Sequence, residues 1–101
     1  RSVATDDITV IADDIQKLIL STGDLNGNVI LPDSTTLDDM WEAGFLQIGE
    51  GKKTFITSAL GDTVVALDSE TASRGPGSMV QILKISDGVW FIGGGLEGAA
   101  L

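Results

Sequence analysis

An all-β domain, an antiparallel sandwich or jelly-roll of about eight short strands, is the fold this sequence predicts. Short β-branched or apolar runs are ended at regular spacing by Gly, Asp, Asn or Ser. No stretch sustains a helical period. The chain has 101 residues, 43% of them hydrophobic and only 21% charged, which suits one globular domain rather than two domains or a disordered chain.

Taken in order, residues 1–7 read as a linker from a longer parent chain, because RSVATDDITV lacks the charged-then-apolar plan of a signal peptide. Residues 8–96 form the β-domain and residues 97–101 a C-terminal tail. Strands are predicted near residues 8–11, 16–21, 28–31, 45–49, 54–57, 63–67, 79–85 and 89–92. Asn26-Gly27, between apolar runs, predicts a tight hairpin turn. Pro32 ends a strand, since it cannot donate to the ladder. Residues 36–43 are the best helical candidate, one or two turns with Thr36 as cap and Asp38 and Asp39 in the first turn. The stretch 69–77, holding Arg74-Gly75-Pro76-Gly77, reads as an exposed loop.

Fifteen acidic against six basic residues give a net charge of −9. Nucleic acid and anionic membrane are excluded as partners on that balance, because phosphate affinity comes from Lys and Arg displacing counterions. The apolar runs are too short to span a bilayer, so no membrane insertion is expected. The sequence contains no Cys, His or Tyr. It therefore lacks the usual general base, transition-metal ligand and thiol nucleophile, and it reads as a non-enzyme with no cofactor.

Two groups of oxygen-bearing side chains are candidate sites. Asp24, Asn26 and Asn28 alternate as ligands do at the start of a calcium loop, but Val29 and Thr35 stand where an EF-hand loop needs Gly and Glu. These three are weak metal candidates, and the hairpin is the simpler reading. Asp38, Asp39 and Glu42 could form a paired-carboxylate site, but nothing else in the chain supports glycoside hydrolysis. Trp41 beside that acidic group is the natural sugar-stacking platform, with Arg74 as a further receptor contact. Gly93-Gly94-Gly95 lacks the Lys-Ser/Thr of a phosphate loop and reads as a close approach of backbones.

Several strands are apolar on both faces: Val89-Trp90-Phe91-Ile92 shows no alternation, and residues 79–85 break it only at Gln81 and Lys84. A one-sided antiparallel sheet would alternate cleanly, so both faces must be covered. In so small a domain the second cover is another copy, and Val80, Ile82, Trp90, Phe91 and Ile92 are the expected interface. A mean hydropathy of +0.25 agrees with an apolar excess that needs burial.

The order of motifs carries a resemblance. Val29-Ile30-Leu31-Pro32 is followed by Phe45-Leu46-Gln47-Ile48-Gly49-Glu50-Gly51 and Lys53-Thr54-Phe55-Ile56. Then come Ser78-Met79-Val80-Gln81-Ile82-Leu83-Lys84-Ile85 and Val89-Trp90-Phe91-Ile92-Gly93-Gly94-Gly95-Leu96. From about Ile8 to Leu96 this resembles the C-terminal β-domains of tailed-phage tail fibres, tailspikes, tail needles and head-decoration proteins. The resemblance implies a homotrimeric cap or knob on a virion, with a host-surface glycan or outer-membrane receptor as the expected contact. The stretch 69–76 and the acidic cluster 37–42 depart from the shared plan. A monomeric carbohydrate-binding module using Trp41 and the acidic loop is the alternative.

Overall fold

A computed structural model describes residues 1–66 and 70–96. Nine strands, all short, and two single 3₁₀ turns make up its regular structure. The strands are β1 (Ser2–Val3), β2 (Ile8–Thr9), β3 (Leu18–Ser21), β4 (Gly27–Leu31), β5 (Glu42–Gln47), β6 (Lys53–Thr57), β7 (Thr63–Val65), β8 (Met79–Ser86) and β9 (Val89–Gly94). The predicted tail, and parts of the strand predicted over 63–67 and of the loop predicted over 69–77, lie outside the described residues.

All-β is therefore the architecture, but its pairing differs from the expected antiparallel one. A six-stranded sheet runs in the order β1-β3-β5-β8-β9-β7, and a three-stranded sheet runs β2-β4-β6. The pairs β1-β3, β3-β5, β2-β4, β4-β6 and β7-β9 are parallel, and only β5-β8 and β8-β9 are antiparallel. The chain thus winds in three coils, β1-β2, β3-β4 and β5-β6, each adding one strand to each sheet. Residue i of the second coil lies beside residue i + 26 of the third in both sheets: Leu18 beside Gly44, and Gly27 beside Lys53. The hairpin β8-β9 then extends the large sheet.

The expected hairpin at Asn26-Gly27 is consequently a corner. β3 and β4 lie in different sheets, and the chain crosses between them there. The turn residues serve a different neighbour, the corner of the adjoining coil. Asp7 Oδ1 accepts from the Asn28 amide at 2.9 Å, Asp24 Oδ1 from Glu50 at 3.2 Å and Asn26 Oδ1 from Lys52 at 3.0 Å. The Gly51 amide donates to the Gly23 carbonyl at 3.1 Å. Such close stacking leaves no room for a side chain: a Cβ on Gly27 would lie 1.9 Å from the Asp6 carbonyl oxygen, and one on Gly51 2.1 Å from that of Leu25. Glycine is required here for approach, not for an unusual φ.

Lys53 completes the corner. It is 0% exposed, and its ammonium donates to the carbonyls of Thr5, Asp6 and Leu25 at 3.3, 2.6 and 2.9 Å. One cation thus ties the first two coils to the third, and the three donors of the buried ammonium are all met. Its stem fills the space beneath, as long aliphatic stems do.

Residues 1–7, predicted as a linker, contain β1 and the corner of the first coil. Arg1 reaches Asp14, whose carboxylate is bonded at 2.8 Å by the guanidinium and at 2.9 Å by the Ile11 amide. Burial works against the Asp14 charge, but these bonds outweigh it and hold its carboxyl below the usual range. Residues 36–43 are not helical: a 3₁₀ turn occupies Ser34–Thr36, capped by Asp33, and β5 has begun by Glu42. The strand end at Leu31-Pro32 is as expected.

The core lies between the sheets. Ile8, Val29 and Phe55 from the small sheet meet Ile19, Phe45, Val80, Ile82, Trp90 and Ile92 from the large one. Phe45 and Phe55 pack edge-to-face at 5.2 Å across the gap, and Trp41 and Trp90 do so at 5.8 Å.

Candidate functional site

The large sheet has an outer face, and that face is where the fold leaves unfinished business. On β5, Ala43, Phe45 and Gln47 point inward, so Glu42, Gly44 and Leu46 point out. The same alternation turns Leu18 and Leu20 outward on β3, Met79, Gln81, Leu83 and Ile85 on β8, and Val89, Phe91 and Gly93 on β9. Register aligns these into rows across the sheet. Leu18, Gly44, Gln81 and Gly93 form one row, and Leu20, Leu46 and Met79 the next. Glu42, Leu83, Phe91 and Val65 form a third.

Of all the outward strand positions on this sheet, Glu42 alone is charged. Asp7, Asp14, Asp24, Asp33 and Asp62 sit instead at corners and turns, where their oxygens accept from backbone amides. Leu18 is 38% exposed, Met79 55% and Val65 49%, in a protein that carries −9 overall. The middle row is low because two of its members are glycines. A Cβ on Gly44 would stand 3.0 Å from Leu18 Cδ1, and one on Gly93 3.0 Å from the Phe91 ring. Beside Gly44 lies a shallow groove of about 430 Å³, lined by Leu18, Gly44, Met79 and Gln81, with Lys17 and Glu42 at its end.

The interface expected from sequence is corrected by this geometry. Val80, Ile82, Trp90 and Ile92 are wholly buried within their own protomer, and only Phe91 of the five faces outward. The apolar excess is real, but the opposite set of side chains carries it. Both faces of β8 and β9 are apolar, so period-two alternation cannot reveal which side is the core. The side that packs against the small sheet carries Val80, Ile82, Trp90 and Ile92, and Lys84 faces inward with them.

The acidic loop is likewise rearranged. Trp41 is 4% exposed, its ring against Trp90 and its indole N–H donating to the Ala12 carbonyl at 3.3 Å. A buried indole offers no stacking platform, so the carbohydrate-binding alternative loses its central residue. Asp39 and Asp87 both pair with the Lys84 ammonium, at 3.1 and 2.7 Å, and the Leu37 carbonyl accepts from the same group. The Asp87 bond does most to raise the Lys84 pKa, against the opposing effect of burial, and Asp39 adds to it. Asp38 is exposed beside this tie, while Glu42 belongs to the outer sheet face. Asp39 and Glu42 therefore do not converge as a carboxylate pair.

Arg74 is exposed, but it lies at the far end of β5 from this loop. Its amide donates to the Gly95 carbonyl and to Ser78 Oγ, next to Gln47, whereas Asp39 lies by Lys84. Asp24 and Asn26 have turned their oxygens to the amides of the third coil, and Asn28 accompanies them only through its backbone. Gly94, with φ of +114°, is placed where a Cβ would strike the Met79 carbonyl oxygen at 2.4 Å, so the glycine run does allow a close backbone approach, within the protomer. Among the described residues no group of three or more acidic side chains is placed to share a metal ion, and no helix is long and apolar enough to cross a membrane.

No family model matches this sequence, and neither the curated proteins nor the solved structures searched with it give a match.

Proposed function

We propose that this chain is a non-enzymatic structural module of a tailed-phage virion, the tip or knob of a fibre, spike or needle, working as a homotrimer. The virion assignment is supported by the strand and turn plan running from Val29 to Leu96. The observation that carries self-assembly is the uncharged, apolar outer face of the large sheet. Water-exposed Leu, Met, Val and Phe side chains in aligned rows are stabilised by covering, at about 25 cal/mol per Å² of apolar area removed from water. A net charge of −9 keeps molecules apart in general. Confining that charge to the corners leaves one face on which copies can meet. The exposed loops holding Asp38 and Asp39 at one end of the sheet and Arg74 at the other are then free to approach a host surface.

Light scattering behind size-exclusion chromatography tests this at micromolar protomer. The expected particle has three times the 10.5 kDa protomer mass. A clean monomer would overturn the assembly.

A further inference from the structure

Resting on that reading, we infer that a second copy docks on the groove side of the large sheet, and that Lys17 of one protomer pairs with Glu42 of the next. Lys17 and Glu42 are both exposed and stand at the same end of the groove. The Gln16 amide donates to the Glu42 carbonyl and the Gly44 amide to that of Lys17, which fixes their backbones side by side. Among the described residues neither side chain forms an ion pair within the protomer.

Two opposite charges, unpaired at the rim of an otherwise uncharged face, are what a head-to-tail contact around a threefold axis needs. Copies approaching with this face find a partner for each charge, and the low glycine row of Gly44 and Gly93 lets the apolar rows close on one another. Rim charges give such an interface its orientation and reject wrong partners. A peptide or receptor of another kind would have to supply the same paired charges without the matching rows of Leu and Met.

The test is a charge swap. Lys17→Glu, Glu42→Lys and the double variant are compared with wild type by sedimentation velocity over a dilution series, with circular dichroism to confirm the fold. Each single reversal is expected to raise the dissociation constant at least about tenfold, and the double swap to return it to within about threefold of wild type. Glu42→Lys is the decisive arm. It lowers the net charge from −9 to −7, so if only general repulsion mattered it would strengthen association. Strengthening by Glu42→Lys, indifference to both single reversals, or failure of the double swap to restore binding would each overturn the pairing while leaving assembly intact. A wild-type protein that stays monomeric refutes the assembly reading itself.

Discussion

Gly51→Ala is the sharpest test of the stacked corners. The added Cβ would meet Leu25 at three backbone atoms, its oxygen at 2.1 Å, its carbonyl carbon at 2.7 Å and its nitrogen at 2.9 Å. No side-chain rotation relieves such a contact. To reach an ordinary separation the third coil must withdraw from the second by about 1 Å, an overpacking that costs about 1–3 kcal/mol. That movement stretches the bond from the Gly51 amide to Gly23, now 3.1 Å, and the one from the Lys52 amide to Asn26, now 3.0 Å. Each such bond is worth about 1 kcal/mol. A loss of about 3 kcal/mol is expected, which for a domain of this size lowers Tm by about 12–24 °C. The control is Gly75→Ala, where a Cβ meets nothing within 4 Å. It should be neutral or stabilise slightly by restricting the unfolded chain. Urea unfolding followed by tryptophan fluorescence, at one fixed protomer concentration, measures both. A Gly51→Ala loss below about 1 kcal/mol, or an equal loss in Gly75→Ala, would refute the coil-stacking argument.

Lys53→Met keeps the stem and removes the donor from three carbonyls, so it should cost about 2–4 kcal/mol in the same urea assay; an unchanged midpoint would show that the ammonium does not tie the coils. Trp41→Ala should cost about 3–5 kcal/mol, because it opens a cavity against Trp90 rather than trimming a surface platform; a near-neutral result would return Trp41 to the surface. The tie of Lys84 to Asp87 and Asp39 is formed while Lys84 is charged. Its folded-state pKa is raised above 10.5, so its contribution is complete below that value and is lost as pH rises through the folded value. The stability gap between wild type and Lys84→Met should accordingly shrink at strongly alkaline pH, and a gap that stays constant there would contradict the assignment. Met79→Asp and Leu83→Asp should dissolve the trimer without lowering the helix-free circular dichroism signal of the fold, and a persistent trimer would move the interface elsewhere.

Much of this protein is already decided along the chain. β-branched runs cut by Gly, Asp and Asn leave room only for short strands, and eight of the nine observed strands lie on or beside predicted ones. β1, two residues long, is too short for periodicity to mark. Pro32 ends β4 because it has no amide to give. The apolar excess of residues 79–92 and its need for covering on two sides were also legible, since they follow from composition alone.

What the local pattern cannot contain is which strands become neighbours and which face turns inward. Asn-Gly reverses a chain equally well within one sheet or between two. Only the parallel partner 26 residues away, with its own corner glycines, makes it a crossing. Lys53 and Lys84 look like surface residues in sequence, since burying an ammonium is costly unless donors are met. Asp87 is three residues from Lys84, but the other acceptors, on Thr5, Asp6 and Leu25 for Lys53 and on Leu37 and Asp39 for Lys84, are brought in by tertiary folding from distant segments. Packing against the small sheet decided the inward side: Val80, Ile82, Trp90 and Ile92 fill the core, while Leu18, Met79, Leu83 and Phe91 are left facing water.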